Sequence, residues 1–196
     1  MVSARAAWQR NVLEGLGFEQ QAKRVEYRLP LVDAIARLEA FHSAARLRWI
    51  PIETKPGKEL ERAAGVLSAV HAGSPGSSED DDPLEHLLSR QIDAERSLPP
   101  QSLQIGVLDE REVALVAPSV APATGWSSLY TVGVLPAYRR QRLGAEAVLH
   151  GLRAMLSMGG ITYHDGTDAN NHAMLTLFDK MDAPRYRKME QWVLSR

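Results

Sequence analysis

The sequence predicts a mixed α/β fold in which helices flank a sheet with both antiparallel and parallel neighbours. Its 196 residues, 44% of them hydrophobic, are enough to bury one sizeable core. Strand-like runs and helical periodicities alternate in an irregular order, which a regular series of βα units would not give. The stretch "SLQIGVLDEREVALVAPSV" is typical of a hairpin turned at "DERE", so part of the sheet is antiparallel.

The first half of the chain alternates between helix and strand. Helical spacing covers Ser3 to Leu16, and "AKRVEYRL" is typical of a strand that ends before Pro30. A helix over Asp33 to Ala45 and the strand "LRWIPI" are predicted next, followed by the helix "KELERAAGVLSAVHAG". After the turn-rich "GSPGSSEDDD", the helix "PLEHLLSRQIDA" begins with a capping box formed by Asp82 and Glu85.

The second half follows the hairpin with three further strands and two helices. The strand "SSLYTVGV" leads to the helix "LGAEAVLHGLRAMLSM", and the strand "ITYHD" leads to the helix "NNHAMLTLFDKM" and the last strand, "RKMEQWVLS". Gly133 inside a strand pattern predicts a β-bulge. Such a bulge would separate this strand from its neighbour and leave backbone groups facing a cleft.

Composition excludes several classes of function. The formal net charge is −1, so nothing in the overall charge attracts the chain to nucleic acid or to an acidic membrane. There are no cysteines, hence no disulfides and no thiolate chemistry. No run approaches the roughly 18 apolar residues of a membrane span. We expect a cytoplasmic protein that binds neither nucleic acid nor membrane.

One stretch, "TVGVLPAYRRQRLGAEAVLHGLRAML", predicts an anion site. It joins a strand to a helix N-terminus, where unpaired amides and the helix dipole favour negative charge. Three arginines and Gln141 add charge and a donor, and Gly144 with Ala145 keeps the first helical turn thin. An extended ligand with a pyrophosphate at one end and an amide-bearing arm on the bulged strand would fit both features. Coenzyme A has that shape.

The segment "VGVLPAYRRQRLGAEAVL" resembles the acyl-coenzyme-A-binding motif of the GNAT superfamily of N-acetyltransferases, a strand ending V-x-P followed by R-x-x-G-x-G/A and a helix. In "NNHAMLTLFDKM", Asn171 matches the asparagine of the family and Phe178 its usual tyrosine position. The resemblance covers about Leu47 to Arg196. It implies a mostly antiparallel sheet with a splayed central strand pair and transfer of an acetyl group from acetyl-CoA to a primary amine of a small molecule.

The resemblance assigns a set of residues to coenzyme binding. They are Val132, Gly133, Val134, Arg139, Arg140, Gln141, Arg142, Leu143, Gly144, Ala145, Asn171 and Phe178.

Two positions depart from the motif. Arg142 stands at its first glycine. In an ordinary helical conformation its amide would stay available and its guanidinium could bond to phosphate, and otherwise the site would be blocked. Because the position lies at a helix start, we expect Arg142→Gly to weaken binding. Phe178 lacks the tyrosine hydroxyl that often protonates the leaving thiolate. Both features favour an alternative reading, a GNAT-fold module with little or no activity that serves regulation or assembly.

Acyl transfer to an amine needs a base near the splayed strands. The candidates are Tyr130, Tyr163, His164, Asp165 and Asp168, of which we predict His164 and Tyr130 to be catalytic. A water relayed by backbone carbonyls could serve instead, and a histidine at a strand end is more often structural.

The cluster "YHDGTDANNH" matches neither a calcium-loop nor a zinc spacing, so no metal is expected. Trp126, just before the bulged strand, is a candidate for the wall of the acceptor pocket.

The chain divides into residues 1–45 and 46–196. The first segment, with helix, "LGF" and strand, resembles the end of a GNAT domain, and the second the whole domain. This suggests a tandem GNAT protein whose first domain is reduced or truncated, or an added helix and strand that complete a sheet edge. The acceptor's identity and the oligomeric state stay open, with a homodimer as one option.

Overall fold

A computed structural model of the chain describes residues 4–42, 44–53, 55–72, 85 and 102–194. Its helices are α1 (Ala4–Gly15), α2 (Leu31–Phe41), α3 (Lys58–His71), α4 (Leu143–Ser157) and α5 (His172–Lys180). Its strands are β1 (Phe18–Pro30), β2 (Arg48–Pro51), β3 (Gln104–Leu108), β4 (Arg111–Ala121), β5 (Trp126–Val134), β6 (Thr162–Asp168) and β7 (Arg185–Leu194). The predicted loop 73–82, helix 83–94 and capping box lie outside the described residues, apart from Glu85.

The described strands form one sheet of seven, in the order β2-β3-β4-β5-β6-β1-β7. Every neighbouring pair is antiparallel except β5 and β6, which are parallel. The predicted fold class, a mixed and mostly antiparallel sheet flanked by helices, is therefore confirmed.

Strand β1 lies inside the sheet, between β6 and β7. Its side chains alternate, with Val25, Tyr27 and Leu29 buried on one face and arginines on the other. The predicted helix and strand of the first 30 residues are both present, and the strand is internal rather than at the edge. The division of the chain into two domains at residue 45 stays a prediction. Strands from both sides of residue 45 belong to the same sheet.

Helices cover the two faces of the sheet separately. On one face, α2, α4 and α5 bury a cluster that includes Leu38, Leu152 and Phe178. On the other face, α3 buries Leu60 and Leu67 against β3 and β4. The two sides of the sheet thus have different neighbours, and this difference determines where a ligand can approach.

Two local predictions need correction. Helix α2 runs from Leu31 to Phe41 rather than from Asp33 to Ala45, because His42 is extended, with φ −142°. The second correction concerns the position of the bulge. The hairpin predicted at "DERE" is confirmed, with a tight turn at Asp109 and Glu110, both with positive φ (47° and 59°).

The bulge lies at Tyr130, not at Gly133. Ala117 stands opposite Thr131 and Pro118 opposite Leu129, so Tyr130 is the extra residue of β5. Pro118 has no amide with which to continue the ladder, which explains the position. Gly133 pairs regularly, and its missing side chain makes room for Val70 of α3.

We predict that the sheet depends on the apolar face of β1. Leu29→Ala should lower the free energy of unfolding by about 2–5 kcal/mol, since Leu29 is only 4% exposed. The matched control Leu16→Ala, at a residue 63% exposed, should change it by about 0.5 kcal/mol or less. Urea denaturation measures both, and equal losses would show that β1 is not part of the cooperative core.

Candidate functional site

Strands β5 and β6 pair only at their first residues. Trp126 stands opposite Thr162 and Ser127 opposite Tyr163, and the ladder then ends. Beyond this point β5 continues with β4 on its other side, and β6 continues with β1. The two strands therefore diverge and leave a wedge-shaped cleft in the middle of the sheet, as the sequence predicted for a splayed central pair.

The carboxylate of Asp165 occupies the narrow end of this cleft. The amide of Leu129 on β5 donates to its Oδ2 atom at 3.0 Å, so the side chain bridges the strands where backbone pairing has stopped. The hydroxyl of Tyr163 donates to the same oxygen at 3.2 Å, and the amide of Gly166 donates to Oδ1 at 2.7 Å. The nearest cation, Arg24, is 4.0 Å away.

Burial determines the protonation of this group. It raises the pKa of Asp165 to about 6, against the opposing effect of the two amides, Arg24 and Tyr163. Burial, the Asp165 charge and the hydrogen bond to it raise the pKa of Tyr163 well above its ordinary value. Tyr163 therefore stays a neutral donor, and Asp165 can accept a proton near neutral pH.

Free backbone amides follow the C-terminal end of β5. Those of residues 140–144 donate no hydrogen bond to any described residue, whereas Ala145 and Glu146 donate to the Arg142 carbonyl. Ala145 thus contributes no amide to the predicted anion site. A row of unpaired donors that ends in a helix N-terminus is suited to a phosphate or pyrophosphate.

The loop keeps these amides free through an unusual backbone. Arg140 and Arg142 both adopt left-handed conformations, with φ 62° and 64°. Arg142 therefore lacks the helical conformation that the sequence prediction made the condition for an open site, since it is the residue that precedes α4, where non-helical angles are normal. Its amide is unpaired among the described residues all the same. For a residue with a Cβ atom, a left-handed backbone conformation costs about 1–2 kcal/mol relative to the right-handed one.

The side chains of this loop point in different directions. The guanidinium of Arg139 donates to the carbonyls of Val134, Val70 and Ala72, and so caps the end of α3. Arg142 lies over the ring of Phe41, 5.7 Å from its centroid. Arg140 and Gln141 are exposed. The role of these side chains in binding phosphate stays a prediction. For Arg139, binding phosphate would require the loss of its hydrogen bonds to three carbonyls.

The two predicted residues near α5 serve the helix and the core. The Asn171 side chain accepts a hydrogen bond from the Met174 amide at 3.2 Å and so caps α5. Phe178 is completely buried and stacks on Tyr27, with ring centroids 4.0 Å apart. Contact between Phe178 and a coenzyme is therefore blocked in this conformation. The Tyr27 hydroxyl beside it is buried and has no partner among the described residues.

A cavity of about 950 Å³ opens on the face of the sheet opposite α2, α4 and α5, and reaches the cleft. Both predicted catalytic residues, His164 and Tyr130, line it, and so do Asp165 and Trp126. Its remaining charged lining residues are Arg24, Glu26 and Arg187. Asp168 does not line it and instead accepts a hydrogen bond from the Asn170 amide.

Glu26 organises the charges in the cavity. Arg187 donates to its Oε2 at 3.0 Å, and the Nε2 of His164 lies 3.6 Å from the same oxygen. Burial by itself would raise the pKa of Glu26, but the bond and charge of Arg187, with the charges of His164 and Arg24, lower it. Glu26 therefore stays ionised and is poorly suited to act as a base.

The sequence prediction missed Arg24, Glu26 and Arg187, because β1 and β7 were assigned only to sheet completion. A signal was present in "RVEYR", where charged residues alternate with apolar ones. Such a pattern usually means a solvated sheet face. Among the described residues, no group of His, Asp and Glu could hold a metal ion, and no helix is both long and apolar enough to cross a membrane.

Solved structures resemble this chain in fold. A glucosamine N-acetyltransferase region of a fungal multi-domain β-N-acetylglucosaminidase aligns with 98% of this chain and 23% of its own, at 11% identity and a TM-score of 0.67. A tandem GNAT protein from the clavulanic acid pathway aligns with 98% of this chain and 58% of its own, at 14% identity and a TM-score of 0.65. This chain has the GNAT fold.

A third example is a GCN5-related N-acetyltransferase from Sphaerobacter thermophilus, which aligns with 97% of this chain and 57% of its own, at 12% identity and a TM-score of 0.60. The chain thus spans little more than half, or less, of the length of these proteins. No protein-family profile and no curated protein sequence matches it. At such low identity the likeness concerns the GNAT fold alone.

We predict that the buried Asp165 of this GNAT fold makes stability depend on pH. Its pKa is raised from 3.8 to about 6, so its contribution is fully present below about pH 4 and is lost as pH rises through 6. Two pKa units correspond to roughly 3 kcal/mol. The free energy of unfolding of the wild type minus that of Asp165→Asn should fall by up to this amount between pH 4 and pH 7.

Urea denaturation at the two pH values measures the difference. Asp179→Asn, at an exposed residue of α5, is the matched control, and its difference from the wild type should not change in this way. A constant difference for Asp165→Asn would contradict the raised pKa.

The strained loop gives a separate prediction. Arg140→Gly should raise the free energy of unfolding by about 0.5–1 kcal/mol, because glycine avoids the left-handed penalty but loses more backbone entropy on folding. Thermal or chemical denaturation measures it. A loss of stability would mean that Arg140 is not held in the left-handed conformation.

Proposed function

We propose that this protein is an acyl-CoA-dependent N-acyltransferase that transfers an acetyl group from acetyl-CoA to a primary amine of a small molecule. The observation that carries the proposal is the joint presence of the β5/β6 cleft and the free amides of residues 140–144. The cleft offers an unpaired strand edge to an amide-bearing arm, and the loop offers donors to a pyrophosphate.

The residues present fit coenzyme A in chemistry. The amides of residues 140–144 would hold its pyrophosphate, and the guanidinium of Arg142 can reach the same anion by leaving the ring of Phe41. The edge of β5 from Val132 to Val134 would pair with the pantetheine arm. When bound, the coenzyme supplies an activated acyl group as a thioester.

The chain's own residues would supply proton transfer and orientation. An ammonium acceptor must lose a proton before its nitrogen attacks the acyl carbon, and Asp165, with its pKa near 6, can accept a proton from that nitrogen. As the N–C bond forms, the C–S bond breaks and the sulfur leaves as a thiolate, which takes up a proton. The amide of Leu129 is positioned to donate to the developing oxyanion once Asp165 releases it.

His164 and Tyr130 remain catalytic candidates in this scheme. His164 lines the cavity, with its Nε2 atom 3.6 Å from Oε2 of Glu26, and Tyr130 lines the same cavity. Tyr163 acts through Asp165 as a positioning residue. Phe178 has no hydroxyl to serve as the family's usual acid, so the thiolate would take its proton from solvent or from another group.

A second function is favoured by two features of the site. The Leu129 amide already donates a hydrogen bond to Asp165, and Arg140 and Arg142 stand at positions whose backbone angles suit glycine. A GNAT-fold module with weak or absent catalysis, which serves regulation or assembly, accounts for these features. It predicts weak or absent binding of acetyl-CoA.

Calorimetric titration with acetyl-CoA and with free coenzyme A tests the proposal. We expect the wild type to bind both, and Arg142→Gly to lose about 1.5–3 kcal/mol of binding free energy by removing a charge-assisted bond to phosphate. Arg153→Gln removes the same charge from the exposed side of α4 and should bind like the wild type. No heat of binding from the wild type with either ligand would overturn the proposal in favour of the module.

A further inference from the structure

Given the proposed function, we infer that the acceptor is a primary amine that also carries a carboxylate or phosphate group, and that Arg24 binds this anionic group. The inference concerns the cavity of about 950 Å³ on the open face of the sheet. It rests on the partners of Arg24, on the space left by Gly166 and on the partners of the other charged groups in the cavity.

Arg24 points its charge into the cavity without a hydrogen-bonded partner. Its guanidinium donates no hydrogen bond to any described residue, and its nearest anion is Asp165, at 4.0 Å between Nη2 and Oδ1. The side chain is 52% exposed and lines the cavity. Five donors in a planar fork are therefore available for a carboxylate or phosphate.

Gly166 lets Arg24 take this position. A Cβ atom at residue 166 would lie 2.8 Å from Nε of Arg24 and 3.0 Å from Cγ of Glu26. The φ angle of Gly166 is not in the left-handed region, so the backbone does not require glycine there. The missing side chain instead makes room for Arg24 and Glu26 to cross β6 toward the cleft.

Among the charged residues that line the cavity, Arg24 is the arginine without a hydrogen-bonded anion. Arg187 is bonded to Glu26, and Glu26 also faces His164. The buried Asp165 carboxyl is held by two amides and a hydroxyl, and Arg24 stands 4.0 Å from it. An anionic group on the acceptor would supply the hydrogen-bonded partner that Arg24 lacks.

The distance between the groups limits the size of the acceptor. Its nitrogen must approach Asp165 to enter the cleft, and Arg24 is only 4.0 Å from that carboxylate. The amine and the anionic group are therefore separated by few bonds, as in an amino acid or an aminoalkyl phosphate. The ring of Trp126 lines the same cavity and can contact the carbon chain between them.

The test compares two matched pairs of amines with acetyl-CoA: β-alanine with β-alaninamide, and 2-aminoethyl phosphate with ethanolamine. Release of free thiol gives kcat and KM. We expect kcat/KM to be at least tenfold higher for the anionic member of at least one pair, and which pair responds distinguishes carboxylate from phosphate. Equal use of charged and neutral members in both pairs would overturn the inference.

Variants identify the residue responsible. Arg24→Gln should lower kcat/KM at least tenfold more for the anionic amine than for the neutral amine, with the difference mainly in KM. Gly166→Ala should act in the same direction by displacing Arg24, and Arg153→Gln should change neither. A loss shared equally by both members of a pair would show a merely structural role and contradict the inference.

Binding of the amines, measured by calorimetry without acetyl-CoA, separates the two proposals. If acetyl-CoA does not bind but the anionic amine binds with dependence on Arg24, the acyltransferase proposal fails and the anion site stands. If acetyl-CoA binds and Arg24→Gln leaves the affinity for the anionic amine unchanged, only the anion site fails.

Discussion

The early end of pairing between β5 and β6 is the constraint on which the rest of this structure depends. Two residue pairs hold the strands together at Trp126 and Ser127, and beyond them the sheet is open in its middle. Backbone groups at such an opening need other partners. Asp165 supplies one by accepting the Leu129 amide, and this places a carboxylate inside the sheet, where burial raises its pKa.

Strand β1 links the stability of the fold to the chemistry of the cavity. One face contributes Val25, Tyr27 and Leu29 to the core, and the other contributes Arg24 and Glu26 to the cavity wall. Because β1 is held between β6 and β7, its charged side chains are fixed relative to Asp165 and Arg187. The N-terminal strand thus builds part of the candidate acceptor site.

In the loop before α4, backbone strain and unpaired amides occur together. Arginines at positions 140 and 142 accept left-handed angles, and the amides between them remain free. The strain is offset by neighbouring contacts, since Arg139 caps α3 and Leu143 is buried. Arg142 therefore holds a left-handed backbone that glycine adopts at little cost, and its guanidinium lies over the ring of Phe41.

The sequence by itself determined the order of the described elements and the mixed sheet, since hydrophobic periodicity and turn residues are local properties. It also located the strand-to-helix junction before α4, whose role as an anion site stays a prediction. It also placed Asp165 and His164 near the cleft. Only the tertiary structure decided that β1 is internal, that Pro118 moves the bulge to Tyr130, and that Phe178 is buried on Tyr27. These outcomes depend on strand neighbours far apart in the chain, and no local pattern specifies which strands pair.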